Sequence, residues 1–369
     1  MLDIAARGIA RLQPYAPGKP LSELERQYGI RDAVKLASNE NPLGPSPRAL
    51  DALQAELAHL ARYPDGNGYQ LKTSLARKHG LQCENITLGN GSNDVLELVA
   101  RAFLTPDSNA VYSAHAFAVY PIVTQAVGAG ARVAAAHDGS RGQPYAHDLQ
   151  AMLAAVDDAT RVIFIANPNN PTGTWVNASV LRAFLEAVPP DVVVVVDEAY
   201  FEYVAEPDYP DASDWIPEFP NLLVTRTFSK AYGLAGLRVG YGLSQAGLAD
   251  ILNRVRQPFN VNSLALTAAA AALDDPAHLQ ASVRVNREGL QQLATGLHEL
   301  QLDFIPSVAN FLAVDMQRDA QQVYEQLLHE GVIVRPVENY GLKGYLRISV
   351  GLPEENRRAL EALARVLKA

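Results

Sequence analysis

Val192-Val193-Val194-Val195-Val196-Asp197-Glu198-Ala199-Tyr200 is the stretch that decides the fold class. Five consecutive β-branched residues favour an extended strand. No polar residue recurs at alternate positions, so neither face of that strand meets water. A strand buried on both faces belongs to a mostly parallel sheet covered by helices. Working outward, short apolar runs at 86–88, 110–112, 131–135, 162–166 and 222–226 repeat the pattern. Amphipathic spacing predicts helices over 92–103, 117–127 and 178–187 between them. The expectation is an α/β fold.

Beyond Arg238 the character changes. Helices are expected over 248–257 and 283–300, with an Ala-rich run at 261–273 between them. Strands at 310–314, 332–334 and 345–350, with a helix at 323–330 and another at the C-terminus, predict a smaller α+β unit. Residues 1–45 are rich in Pro and Gly and read as an extended N-terminal arm. The predicted division is 1–45 arm, 46–258 large domain and 259–369 small domain.

The 369-residue chain is 48% hydrophobic, enough for a sizeable core. A formal net charge of −9 and the lack of any long Lys/Arg block argue against general nucleic-acid binding. The single cysteine, Cys83, excludes an intrachain disulfide framework and suits a reducing compartment. Residues 1–20 are broken by charges and prolines before any apolar core develops, so no signal peptide is expected. The apolar runs at 192–196 and 264–273 are too short to cross a bilayer. These features predict a soluble, cytoplasmic protein with no membrane partner and no metal.

The chemically capable residues cluster just past the strand ends. The 162–166 run leads into Asn167-Pro168-Asn169-Asn170-Pro171-Thr172-Gly173, the valine run into Asp197, and the 222–226 run into Thr227-Phe228-Ser229-Lys230. The 86–88 run leads into Gly89-Asn90-Gly91-Ser92-Asn93. In open α/β sheets ligands bind at that edge. Lys230, eight residues before Arg238, is either a solvated lysine in a Gly-rich loop or an amine held for covalent chemistry with a phosphorylated carbonyl cofactor. Asp197 either caps the next helix, pairs with an arginine, or faces a protonated pyridine nitrogen. Asn170 fits a plain turn or a donor to a phenolate oxygen, which Tyr200 could also reach. Ser92 and Asn93 fit a helix N-cap or an anion site, with Thr227, Ser229 and Arg238 as further donors. Arg347 fits a strand-surface ion pair or a forked donor aimed at a carboxylate or phosphate.

Asn-Pro-Thr-Gly, Asp-Glu-Ala-Tyr and Thr-Phe-Ser-Lys-Ala-Tyr-Gly-Leu-Ala-Gly-Leu-Arg, in that order, resemble the fold-type-I pyridoxal-phosphate aminotransferases. Pro14-Tyr15-Ala16-Pro17-Gly18-Lys19-Pro20, Leu36-Ala37-Ser38-Asn39-Glu40-Asn41-Pro42, Arg62-Tyr63-Pro64 and the segments at 332–335 and 346–351 are similar to the histidinol-phosphate aminotransferase family. The resemblance implies that Lys230 joins the cofactor aldehyde and that Asp197 pairs with the pyridinium. It implies Asn170 and Tyr200 at the phenolate oxygen and Phe117 stacked on the ring, although Phe117 also reads as a core aromatic. Ser92, Asn93, Thr227, Ser229 and Arg238 would then hold the cofactor phosphate, with Tyr63 reaching it from a partner subunit of a homodimer. Arg335 and Arg347 would grip the substrate phosphate, with Tyr15 from the N-terminal arm nearby. The implied reaction exchanges an amino group between glutamate/2-oxoglutarate and imidazole-acetol phosphate/histidinol phosphate in histidine biosynthesis. An aromatic aminotransferase, a phospho-amino-acid decarboxylase of the same fold and a cofactor-binding regulator are the rival expectations.

Overall fold

A computed structural model describes all residues except 1–3, 7, 16, 17, 141 and 369. Ala16 and Pro17 of the Pro14–Pro20 motif therefore lie outside the described residues. β1 (Val34–Lys35) belongs to the N-terminal segment. The large sheet contains β2 (Ile86–Gly89), β3 (Asn109–Ser113), β4 (Gly130–Ala134), β5 (Thr160–Ala166), β6 (Val193–Asp197), β7 (Leu222–Thr227) and β8 (Gly240–Ser244). Their order is β2-β8-β7-β6-β5-β3-β4. β8 runs antiparallel to β2 and β7; the other pairings are parallel.

The valine strand β6 lies near the middle of this sheet and is buried along its whole length. Val194 and Val196 pack with Ile163, Ile165, Leu222 and Val224 on one face. Val193 and Val195 pack with Val162, Phe164 and Leu223 on the other. The two-residue period of a strand thus divides one apolar run between two cores, each buried valine contributing about 1.5 kcal/mol. Ser92–Phe103 and Ala178–Ala187 are helical, as expected. The next helix begins at Val119, two residues later than expected.

β8 escaped the sequence reading because Gly240 and Gly242 make it look like a loop. Close packing explains the first glycine: a Cβ on Gly240 would lie 2.3 Å from the Ser92 backbone nitrogen. Its absence lets the N-terminus of Ser92–Phe103 sit directly on the sheet edge.

A second sheet pairs β9 (Phe304–Ile305), β10 (Phe311–Asp315), β12 (Arg335–Pro336) and β13 (Tyr345–Ser349) antiparallel, in the order β12-β13-β10-β9. β11 (Val332–Ile333) pairs in parallel with β1. Ala320–His329 and Pro353–Lys368 contribute to a separate core around this sheet. The helix Pro276–Glu299 connects the two bodies. It starts seven residues before the expected 283 because Asp275 caps it and Pro276 occupies its first turn, where a missing N–H does no harm. Ser263–Leu273, on the C-terminal side of the expected 258/259 division, packs its alanines into the large-sheet core. The N-terminal segment is not extended throughout. Leu21–Tyr28 is a helix ended by left-handed Gly29.

Candidate active site

The strand ends converge as the sequence suggested. Tyr15, Ser92, Asn93, Phe117, Asn170, Asp197, Tyr200, Thr227, Ser229, Lys230, Arg238, Arg335 and Arg347 all line one cavity of about 420 Å3. That volume suits a small-molecule site. Tyr63 lies elsewhere: it is 83% exposed and stacks on Phe259 with ring centroids 4.8 Å apart.

Asp197 ends β6 and is buried. Tyr120 Oη donates to its Oδ2 at 2.9 Å, and Thr225 Oγ1 donates to its Oδ1 at 2.9 Å. Burial pushes the carboxyl above its ordinary range, while both hydroxyl bonds oppose that shift. Among the described residues, Asp197 neither caps the following turn nor meets an arginine. The nearby arginine, Arg226, points to the other side of β7. There Nη2 is 2.7 Å from Glu198 Oε2 and 2.6 Å from Asp211 Oδ1. Alternation along β6 and β7 explains the separation: Asp197 shares a face with Thr225, and Glu198 with Arg226.

Lys230 follows the end of β7. Its Nζ donates to the Ser38 carbonyl at 3.1 Å and lies 5.8 Å from the Tyr200 ring centroid. Burial lowers its pKa to about 7, Arg347 adding to the effect and Glu40 opposing it. A free lysine, near 10.4, would be neutral only to about one part in a few thousand at pH 7. Burial thus leaves Lys230 a far larger neutral fraction than a free lysine has.

Tyr200 Oη accepts from Asn39 Nδ2 at 2.9 Å, and Ser349 Oγ donates to Asn39 Oδ1 at 2.8 Å. The N-terminal segment is thereby joined to both bodies at the cavity. Asn170 Oδ1 accepts from Arg347 Nη1 at 2.5 Å, and Arg347 Nη2 donates to the Ala37 carbonyl at 2.7 Å. Phe117 meets Tyr120 edge to face at 5.9 Å.

Elsewhere along the cavity wall, Ser92 and Asn93 begin a helix preceded by Gly91, whose φ is +80°. Arg238 Nη1 donates to Ser229 Oγ at 3.3 Å. A Cβ on Gly91 would come within 2.5 Å of Arg238 Nη2. Helix-terminal N–H groups, hydroxyls and a guanidinium therefore surround a space kept clear of side chain, a donor set suited to phosphate.

Arg335 and Arg347 are directly paired in the register of β12 and β13. Both are buried. The Arg335 guanidinium carbon lies 5.6 Å from the Tyr15 ring centroid, and that of Arg347 lies 5.3 Å from Phe311. Among the described residues, Arg347 Nε is buried without a hydrogen-bond acceptor. Burial lowers the Arg347 pKa from its ordinary value.

The sequence reading missed Tyr120, Thr225 and the role of Asn39. Tyr120 stands three residues after Phe117, so one helix start can present both rings. Thr225 stands two residues before Thr227, on the same strand face.

Fold and site together define a class of transferase. The aminotransferase class I and II family model matches residues 31–363, and the chain belongs to that family. Within it, the chain belongs with the histidinol-phosphate aminotransferases. It is 61% identical over 368 residues to histidinol-phosphate aminotransferase 2 of Pseudomonas fluorescens, covering 99% of this chain and 98% of that protein. Identity to histidinol-phosphate aminotransferase 2 of Pseudomonas aeruginosa is 60%, with the same coverage. Among solved structures, histidinol-phosphate aminotransferase from Sinorhizobium meliloti in complex with pyridoxal 5'-phosphate superposes with a TM-score of 0.89. It shares 29% identity, with 99% of this chain and 98% of that one covered.

Proposed function

We propose that this chain uses pyridoxal 5'-phosphate to exchange an amino group between glutamate/2-oxoglutarate and imidazole-acetol phosphate/histidinol phosphate, a step of histidine biosynthesis. The observation that carries the substrate is the buried cross-strand pair Arg335–Arg347. Like charges directly opposite on a sheet repel, and a dianionic phosphate between them would relieve that repulsion. Planar guanidinium groups can also take glutamate's carboxylate. Tyr15 completes this end of the cavity.

The donor set fits the cofactor. Ser92, Asn93, Thr227, Ser229 and Arg238 would hold its phosphate, Asp197 its ring nitrogen, and Asn170 with Tyr200 its phenolate oxygen. Phe117 would cover the ring face. When bound, pyridoxal phosphate supplies a carbonyl for the amine and an electron-withdrawing ring that stabilises a carbanion. Lys230 supplies the amine that anchors the aldehyde. Once displaced by substrate, its neutral Nζ would take the proton from the substrate α-carbon and pass it to the cofactor's C4′ carbon, the amino group staying with the cofactor. Arg335 and Arg347 fix the substrate's far end so that this carbon stays within reach of Nζ.

The same reading includes a homodimer in which Tyr63, exposed and stacked on Phe259, reaches the partner's cavity. It includes a cytoplasmic location; no helix among the described residues is long and apolar enough to cross a membrane. The arm is assigned to residues 1–45, and the packing of Ser263–Leu273 supports moving the large-domain boundary beyond Leu273.

A half-reaction screen tests the substrate. Absorbance of the cofactor-loaded protein is followed after adding histidinol phosphate, phenylalanine or threonine phosphate. A fast change with histidinol phosphate is expected; a fast change with phenylalanine alone would overturn the assignment.

A further inference from the structure

We propose that Tyr120 is a positioning residue for Asp197, holding the carboxylate ionised and oriented so that it can keep the cofactor's ring nitrogen protonated. The inference rests on the cofactor reading above. Asp197 lies at the end of a strand buried on both faces, where an unpaired charge is expensive. Arg226, on the neighbouring strand β7, is committed to Glu198 and Asp211. The partners of Asp197 are instead two hydroxyls, one on each oxygen.

Tyr120 cannot easily leave its place. It is fully buried and stacks on Phe164 with centroids 4.8 Å apart and planes 6° from parallel, while Phe117 closes its edge. Burial and the neighbouring Asp197 push its phenol well above the ordinary value, so Oη remains a donor throughout the working pH range. A neutral donor favours the ionised carboxylate without cancelling its charge, whereas an arginine or lysine would compete with a pyridinium for it. Phe117 and Tyr120, three residues apart, link the ring-covering aromatic to the control of Asp197. Thr225 performs the equivalent task on Oδ1 from the neighbouring strand, where it is paired in register with Asp197.

The test compares two cofactors on the full-length chain, freed of cofactor and then reconstituted. One is pyridoxal phosphate; the other is the analogue whose ring nitrogen is replaced by C–H. Tyr120→Phe should weaken pyridoxal phosphate about tenfold, the size of one charge-assisted hydrogen bond, while changing affinity for the analogue less than twofold. Thr225→Val, which acts on the other oxygen, should show the same selectivity. With 15N-labelled cofactor, the ring nitrogen resonance should move towards the unprotonated position in Tyr120→Phe. Equal losses for both cofactors, or no loss for either, would overturn the inference while leaving the cofactor assignment intact. Failure of the unsubstituted chain to bind pyridoxal phosphate would overturn both.

Discussion

Replacing Lys230 with Met should stabilise the cofactor-free protein. Methionine preserves most of the buried stem and removes the titrating amine. Burial lowers the lysine pKa from 10.5 to about 7. At about 1.36 kcal/mol per pH unit, that difference corresponds to roughly 4 kcal/mol of lost folding free energy at pH 7. Partial exposure screens some of this, and the variant also loses the bond to the Ser38 carbonyl. A net gain of about 2–3 kcal/mol remains.

The pH dependence follows from the protonation of both states. Below pH 7 the lysine is charged whether folded or unfolded, so the penalty is full. Between pH 7 and 10.5 the folded protein has lost the proton while the unfolded chain retains it. The penalty therefore falls as pH rises and vanishes near 10.5, where both are neutral. Urea midpoints of both proteins without cofactor, measured from pH 6 to pH 10, give the comparison. A stabilised variant whose advantage shrinks with rising pH is expected. A variant no more stable at pH 7, or an advantage independent of pH, would refute the reasoning.

Arg335→Gln should raise KM for histidinol phosphate about 100-fold, the loss of about 2.7 kcal/mol of charge-assisted binding, with a much smaller effect on the half-reaction with phenylalanine. Steady-state kinetics with both donors checks this. Gly91→Ala should destabilise the fold by about 1–2 kcal/mol through its positive φ. It should also weaken cofactor binding at least tenfold, because its Cβ would displace Arg238; fluorescence titration and urea midpoints measure the two effects.

Residues whose neighbours in space are also neighbours in the chain were the readable ones. Five valines revealed a doubly buried strand, and the runs at 162–166, 192–196 and 222–226 led directly to Asn170, Asp197 and Lys230. Partnerships set by register or close packing were not readable in this way. Arg335 and Arg347 could each be singled out, but their direct opposition depends on how β12 and β13 align. Thr225 looked like one more strand residue until β6 and β7 were paired. β8 was hidden because the glycines that admit the Ser92 helix start are also poor strand formers. Ser263–Leu273 carries no chain signal telling which core its alanines enter; its packing against Pro47–Glu56 and Tyr69–His79 does.

The central claim is that the strand-end cavity presents Lys230 as the amine that bonds the cofactor aldehyde. Borohydride reduction of the pyridoxal-phosphate-loaded protein, followed by digestion and tandem mass spectrometry, tests it directly. The account predicts one pyridoxyl adduct, on Lys230. An adduct confined to Lys35, Lys72 or Lys78, or none on a protein that binds the cofactor, would contradict it.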